Sequence, residues 1–219
     1  MRVVGGVAGG RRLRAPAGRS IRPTGDRVRE AVFNVLTSLR AVEGATVVDL
    51  FAGTGALGIE ALSRGAAHVT FVDRDPAAAA TIRDNLAAVG LAGASSEVVR
   101  AEVLAWLEHG RPHEHGRPGR SAHKDGRPGR SAHKDGGPGR SAHEAGDRAF
   151  DLALCDPPYD FTAWARLLNG LSAELAVLES SVPLEAPAGW MVRTTKRYGG
   201  TVVTLVQPLP HQVARKGAS

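Results

Sequence analysis

The sequence predicts an α/β fold in which a mostly parallel sheet is covered by helices on both faces, and three observations carry that expectation. Short apolar runs of strand length alternate with segments of helical length, the order that produces right-handed crossovers and parallel pairing. Near the C-terminal end two such runs meet at Gly199-Gly200, a hairpin signal that would close an antiparallel edge. With 219 residues, 42% of them hydrophobic, the chain is sized for one domain with a real core.

Arg22-Pro23-Thr24 introduces the first helix, capped near Thr24, whose apolar positions Val28, Val32, Val35, Leu36 and Leu39 follow one face. A strand over 46–51, a helix over 56–64 and a strand over 68–72 come next, then a helix over 76–89 with Pro76 in its first turn, where a missing N–H costs nothing. Residues 98–100 read as a third strand and 103–107 as the start of its helix. Beyond 149, residues 151–155 form a buried strand, 162–171 a helix and 175–179 a strand; 191–197 and 201–206 form the hairpin. Ligands of such sheets bind beyond the carboxyl ends of the strands.

Between Glu108 and Ala149 there is no Ile, Leu, Val, Met or aromatic residue, so this segment cannot join a packed core. It reads as an insertion over 108–149 built on a repeated ten-residue unit: GRPGRSAHKD at 116–125 and again at 126–135, then GGPGRSAHEA at 136–145. The unit has no apolar face to stack, and a flexible, disordered loop is expected. His123, His133 and His143 recur at spacing ten, but an unordered chain would have to be ordered to make a metal site of them, and no metal is expected. A weak, salt-dependent grip on nucleic acid suits its Arg and Lys better.

Cys155 is the only cysteine, which excludes an internal disulfide framework and a Cys-rich zinc site. No apolar run reaches the roughly 18 residues of a membrane span, and the start lacks the apolar stretch of a secretory signal, so a cytoplasmic protein without a membrane partner is expected. Net charge is +6, divided unevenly: +7 over residues 1–40, +5 over 190–219 and −6 between them. Basic ends around an acidic middle suit a polyanion held at the ends and a neutral or cationic ligand in the middle, although scattered solvated arginines would give the same sum.

Two strand ends carry the chemistry. The first, DLFAGTGALG at 49–58, satisfies G-x-G-x-x-G with Gly53, Gly55 and Gly58, and Asp73 lies 20 residues past Gly53 at the end of the next strand. That pattern fits a dinucleotide site. Asp49 argues otherwise, because a carboxylate there would repel a pyrophosphate and suits a cationic ligand; S-adenosylmethionine carries an ammonium and a sulfonium and no phosphate. Asp73 would then accept both ribose hydroxyls. A plain strand-to-helix turn is the remaining reading. The second strand end is Asp156-Pro157-Pro158-Tyr159. Two prolines fix the backbone and remove two donors, leaving the Pro157 carbonyl beside the Asp156 carboxylate. Two converging acceptors would hold both N–H groups of an exocyclic amine and turn its lone pair toward a methyl donor, with Asp156 available for the released proton and Tyr159 for stacking on an extruded base. A rigid turn closed by a buried Tyr is the alternative. Cys155 lacks an adjacent base and reads as a small core residue rather than a nucleophile. Trp106, Trp164 and Trp190 read as packing aromatics.

DLFAGTG followed by DPPY resembles the amino-directed class I S-adenosylmethionine methyltransferases. The fuller set, Arg22-Pro23-Thr24, DRVRE at 26–30, Phe33-Asn34 and GALGIEALSRG at 55–65, resembles the RsmD family of 16S ribosomal RNA guanine-N2 methyltransferases over essentially the whole chain outside the insertion. The resemblance implies a Rossmann-like, mostly parallel seven-stranded sheet. It implies a basic N-terminal extension and capping helix over 1–40, and a methyltransferase domain over 41–219 interrupted by the insertion. It places Asp49, Phe51, Ala52, Gly53 and Gly55 under the methionine part of S-adenosylmethionine, with Asp73 and Arg74 at the ribose. Glu102 falls where Asp or Asn usually meets the adenine amino group, and its longer side chain departs from that pattern. Arg22 and Thr24 fall in the segment closing over the cofactor; Arg22 suits the cofactor carboxylate, a phosphate or the surface equally. Asp156, Pro157, Pro158 and Tyr159 become the catalytic motif, and Arg11, Arg12, Arg14 and Arg19 a phosphate grip. The implied partner is 16S rRNA within a small-subunit assembly intermediate, met by a monomer. Adenine-N6 methylation of DNA or RNA is the nearer alternative and a nicotinamide-dependent oxidoreductase the more distant one.

Overall fold

A computed structural model describes residues 1–15, 25–109 and 150–210. In these residues α1 (Gly25–Ser38) precedes β1 (Thr46–Leu50), α2 (Ala56–Ser63), β2 (His68–Asp73), α3 (Pro76–Ala88), β3 (Ser96–Arg100) and α4 (Val103–Glu108). After them come β4 (Phe150–Cys155), α5 (Trp164–Gly170), β5 (Ala173–Ser180), β6 (Trp190–Tyr198) and β7 (Thr201–Pro208). The strands form one sheet in the order β3-β2-β1-β4-β5-β7-β6. The first five are parallel, and β7 runs antiparallel to both β5 and β6.

The alternation of side chains along each strand divides the core between the two faces. Val47, Phe71, Leu154 and Val177 join Phe33 and Leu36 of α1, Ile59 of α2 and Ile82 of α3 on one face. Val48, Leu50, Val72, Ala153 and Leu178 join Val103 and Leu104 of α4 and Leu167 and Leu168 of α5 on the other. Cys155 is fully buried in the second layer, and Trp190 packs there with its indole N–H donating to the Leu168 carbonyl at 3.1 Å. Among the predicted positions of α1, Val28, Val32 and Leu36 are buried and Val35 and Leu39 half-buried; Phe33 and Arg29 are buried beside them.

The hairpin forms at Gly199-Gly200 as expected, but β7 is the inner strand and β6 the edge. Every residue of β7 from Thr201 to Val206 is buried, whereas β6 exposes most of its length. Helix α5 starts at Trp164 rather than 162, leaving Thr162 and Ala163 in the preceding loop. Glu108, assigned to the insertion, ends α4 and holds the Arg166 guanidinium through both carboxylate oxygens at 2.5 and 2.7 Å. The remainder of the expected insertion from 110 onward lies outside the described residues, as do the Thr24 cap, Arg19 and Arg22.

Gly58 shows why the glycine pattern extends into α2. A Cβ at this position would lie 2.3 Å from Cε1 of Phe71 and 2.8 Å from Cγ1 of Val69, so the helix can seat on β2 only without one. Gly58→Ala is therefore expected to destabilise the protein by about 1–3 kcal/mol through overpacking. Thermal melting checks it, and an unchanged Tm would refute the close-approach role.

Candidate active site

The chain leaves β1 toward β2 on one side and returns from β3 to β4 on the other, so the sheet has its switch point between β1 and β4. Loops diverging at such a point leave a crevice beyond the carboxyl ends. Register makes the crevice specific. Leu50 stands opposite both Val72 and Cys155, and Cys155 opposite Leu178, so the residues that follow, Phe51, Asp73, Asp156 and Glu179, leave four adjacent parallel strands at one level.

They open on a cleft of about 830 Å³. Of the residues expected at the cofactor, Asp49, Phe51, Ala52, Gly53, Asp73, Arg74 and Glu102 line it, together with Asp156, Pro157 and Pro158. Gly55 does not; it adopts φ 77 as the residue before α2, and its Cα faces Ile82 of α3, so it shapes the loop from beneath. Tyr159 lines a smaller neighbouring cavity of about 150 Å³, which shares Asp156, Pro157 and Pro158 with the cleft. It is 53% exposed, not the buried Tyr of a plain turn.

Asp49 is buried, and one carboxylate oxygen accepts the Gly58 N–H at 2.9 Å, tying the end of β1 to α2. Burial pushes its carboxyl well above the ordinary value of 3.8; the Gly58 hydrogen bond opposes this, and the charges of Asp156 and Asp73 add to it. Below the ordinary carboxylate range the folded and unfolded chains both carry the proton. As pH rises through and above that range the unfolded chain ionises while the folded chain resists, so the ligand-free protein loses stability. A cation in the cleft favours the ionised form, so its affinity should rise with pH over the same interval. Asp49→Asn keeps an acceptor for Gly58 and is expected to raise the ligand-free Tm at neutral pH while weakening S-adenosylmethionine binding about 10- to 100-fold, the scale of one charged hydrogen bond. Melting curves and calorimetric titration check both; unchanged affinity would refute the electrostatic role.

The other acids are more engaged than their sequence roles suggest. Asp73 accepts the Gly53 N–H at 2.8 Å and the Asp75 N–H at 2.9 Å, so it holds the glycine loop in place. Glu102 caps α4 by accepting the Ala105 N–H at 2.7 Å, a local use that a shorter Asp or Asn would serve equally well. Phe51 takes a left-handed φ of 60, unusual for an aromatic residue and the kind of backbone strain that gathers at ligand sites. Its ring packs edge-on to Phe161 at 5.2 Å, and Phe161 edge-on to Trp164 at 5.0 Å, which braces the loop after β4 against the loop after β1.

An N-terminal segment around Arg22 and Thr24 is expected over the cofactor from the resemblance, but the N-terminal residues found at the cleft are ones that the sequence reading did not assign to it. Met1, Ala15, Val28 and Arg29 line the cleft. Residues 1–13 fold back on themselves through Val3–Arg11, Gly10–Val3 and Leu13–Met1 backbone bonds and dock as a strap. Fully buried Glu60 accepts the Val4 and Gly5 N–H groups at 2.6 and 2.8 Å and the Arg64 guanidinium at 2.7 Å, with Arg29 Nε at 3.7 Å. Asn85 accepts the Arg14 N–H at 2.8 Å and donates to the carbonyls of Arg14 and Thr54, joining strap, α3 and glycine loop. A glutamate inside the apolar run ALGIEALS was the one available signal.

This sheet order, with a glycine loop and a DPPY loop sharing one crevice, defines a class I methyltransferase. Residues 1–115 match the family model described as Conserved hypothetical protein 95. Over 208 residues, 91% of this chain and 89% of the relative, the sequence is 36% identical to ribosomal RNA small subunit methyltransferase D of Haemophilus influenzae. The chain belongs to that family, the RsmD family. Matches to the protein of the same name from Escherichia coli K12 (41% identical) and to YlbH of Bacillus subtilis (52% identical) are shorter, spanning 56% and 46% of those relatives' lengths. The solved structure of Escherichia coli yhhF superposes with a TM-score of 0.67 at 28% identity, over 95% of this chain and 97% of that one.

Proposed function

We propose that this protein transfers the methyl group of S-adenosylmethionine to the N2 amino group of a guanine in 16S ribosomal RNA, acting in the cytoplasm as a monomer on a small-subunit assembly intermediate. The carrying observation is that the glycine loop and Asp156-Pro157 border one cleft, so a methyl donor and an amine held at the two loops would be neighbours. Family membership supplies the RNA class.

The donor set suits the cofactor. Among the described residues, the acids lining the cleft besides Asp49, namely Asp73, Asp75, Glu102, Asp156, Asp160 and Glu179, outnumber its arginines, Arg29 and Arg74, which favours a cationic ligand and disfavours the pyrophosphate of a nicotinamide dinucleotide. Asp49 and the backbone of Phe51, Ala52 and Gly53 would hold the methionine part. Asp73 has one lone pair left on each oxygen for the ribose hydroxyls, with Arg74 beside it; Glu102 borders the adenine end. The bound cofactor supplies an electrophilic sulfonium methyl. Asp156 and the Pro157 carbonyl would accept the two amine hydrogens and aim the nitrogen lone pair along the line of transfer, Pro158 would hold that backbone rigid, and Tyr159 would stack on the extruded base. With the methyl carbon moved from sulfur to nitrogen and the neutral thioether left behind, the amine nitrogen would be cationic and Asp156 would take its surplus proton or pass it to water. Arg11, Arg12 and Arg14 would meet phosphates.

Nucleoside analysis of ribosomal RNA from cells with and without the protein tests the reading. Loss of one N2-methylguanosine from 16S rRNA, restored by the purified protein with S-adenosylmethionine, is expected. Loss of N6-methyladenosine instead, or no change, would overturn it.

A further inference from the structure

The 150 Å³ cavity on the far side of the DPPY loop is small beside the roughly 300–1,000 Å³ of a whole-ligand site and suits a single inserted group. Tyr159, Phe161 and Trp164 give it aromatic walls. Among the described residues, its charged lining residues are Asp156 and Glu179. Both also line the main cleft, and both follow paired residues of adjacent parallel strands, Cys155 of β4 and Leu178 of β5, so they emerge roughly 4.8 Å apart at one level. Two carboxylates and a proline carbonyl make an edge that only accepts.

Guanine presents a matching edge: the amine at C2 and the ring N1–H beside it are all donors. Adenine and cytosine present an amine beside a ring nitrogen lone pair, which such an edge repels. We infer that Glu179 is a specificity-determining residue that accepts the guanine N1–H while Asp156 and the Pro157 carbonyl hold the N2 amine, so that the site selects guanine against bases that present a ring-nitrogen lone pair to Glu179. The inference rests on the guanine-amino reading above and deepens it by naming what rejects the other bases. Sites that pair a substrate N–H discriminate far more strongly than apolar pockets, because the wrong base covers an acceptor without pairing it.

The test uses the full chain and 16S RNA particles in which the mapped target guanine is replaced by 2,6-diaminopurine, which keeps the C2 amine but has a bare N1. Wild-type protein is expected to methylate diaminopurine at least about 100-fold more slowly than guanine. Glu179→Gln, whose amide can donate to a bare N1, should lose about 100-fold on guanine and narrow the guanine-to-diaminopurine ratio about tenfold or more, with S-adenosylhomocysteine binding unchanged. Glu179→Asp keeps the carboxylate and should retain the preference at a lower rate, and it carries the test if the Gln variant does not fold. Equal use of both bases by wild type, or a parallel loss on both by Glu179→Gln, would overturn the inference. Transfer to neither base by wild type would overturn the methyltransferase reading itself.

Discussion

Asp156→Ala should lower methyl transfer by about three orders of magnitude or more while leaving S-adenosylmethionine affinity within about threefold, because in the proposed reading the residue, which lines the cleft from the DPPY loop, holds the amine and not the cofactor. The loss should fall mainly on kcat: without an acceptor at this position the amine keeps its lone pair in conjugation with the ring and is no longer aimed at the methyl group. Asp156→Asn separates two contributions, since it retains one acceptor oxygen and removes the charge that takes up the proton. A smaller loss for Asn than for Ala assigns most of the effect to orientation. Single-turnover transfer together with calorimetric cofactor titration measures both quantities, and an alanine variant that still methylates would remove Asp156 from the mechanism.

The largest stability effect is expected at Glu60. Its carboxylate accepts from two backbone donors of the strap and from the Arg64 guanidinium, and it lies 3.7 Å from Nε of Arg29, whose side chain is only 4% exposed. Glu60→Leu fits the space but leaves the Val4 and Gly5 N–H groups and Arg64 without their acceptor, and Arg29 with Asp26 as its remaining carboxylate partner. Breaking a buried pair from one side costs about 3–5 kcal/mol, which for a domain of this size lowers Tm by about 6–20 °C. Because the strap carries Met1 and Ala15 to the cleft, cofactor affinity should fall with it. Thermal melting with and without S-adenosylhomocysteine, and hydrogen exchange at residues 1–13, check the coupling. A Tm within about 2 °C of wild type would show that the strap holds without this carboxylate.

These two residues illustrate different degrees of legibility. Asp156 was legible as a candidate because its motif is local: four consecutive residues, two of them proline, spell out a rigid loop after a strand, and the structure places that loop at the cleft. Glu60 was not, because its partners in the strap lie 55 and 56 positions away and an acid paired only with Arg64 one turn on ordinarily faces water. Glu102, placed near the adenine by the family resemblance, lines the cleft and also caps its own helix through the Ala105 N–H, a second use that the resemblance did not indicate. Gly55 satisfied the motif without reaching the cleft wall, since its function there is conformational.

The alternation of apolar runs with helical segments, the glycine and proline loops and the Gly199-Gly200 hairpin were enough to establish the layered α/β architecture and the two chemically committed strand ends, since each depends on backbone preferences and periodicities that act over a few residues. Which strands lie side by side, and hence that Asp73, Phe51, Asp156 and Glu179 share one edge, followed from long-range pairing and register that no local pattern encodes. The same holds for the inner position of β7 and for the strap pinned by Glu60 and Asn85. Burial and charge proximity exist only once distant segments meet, and here they set both the acidity of the cleft and the acceptor edge that would face the base.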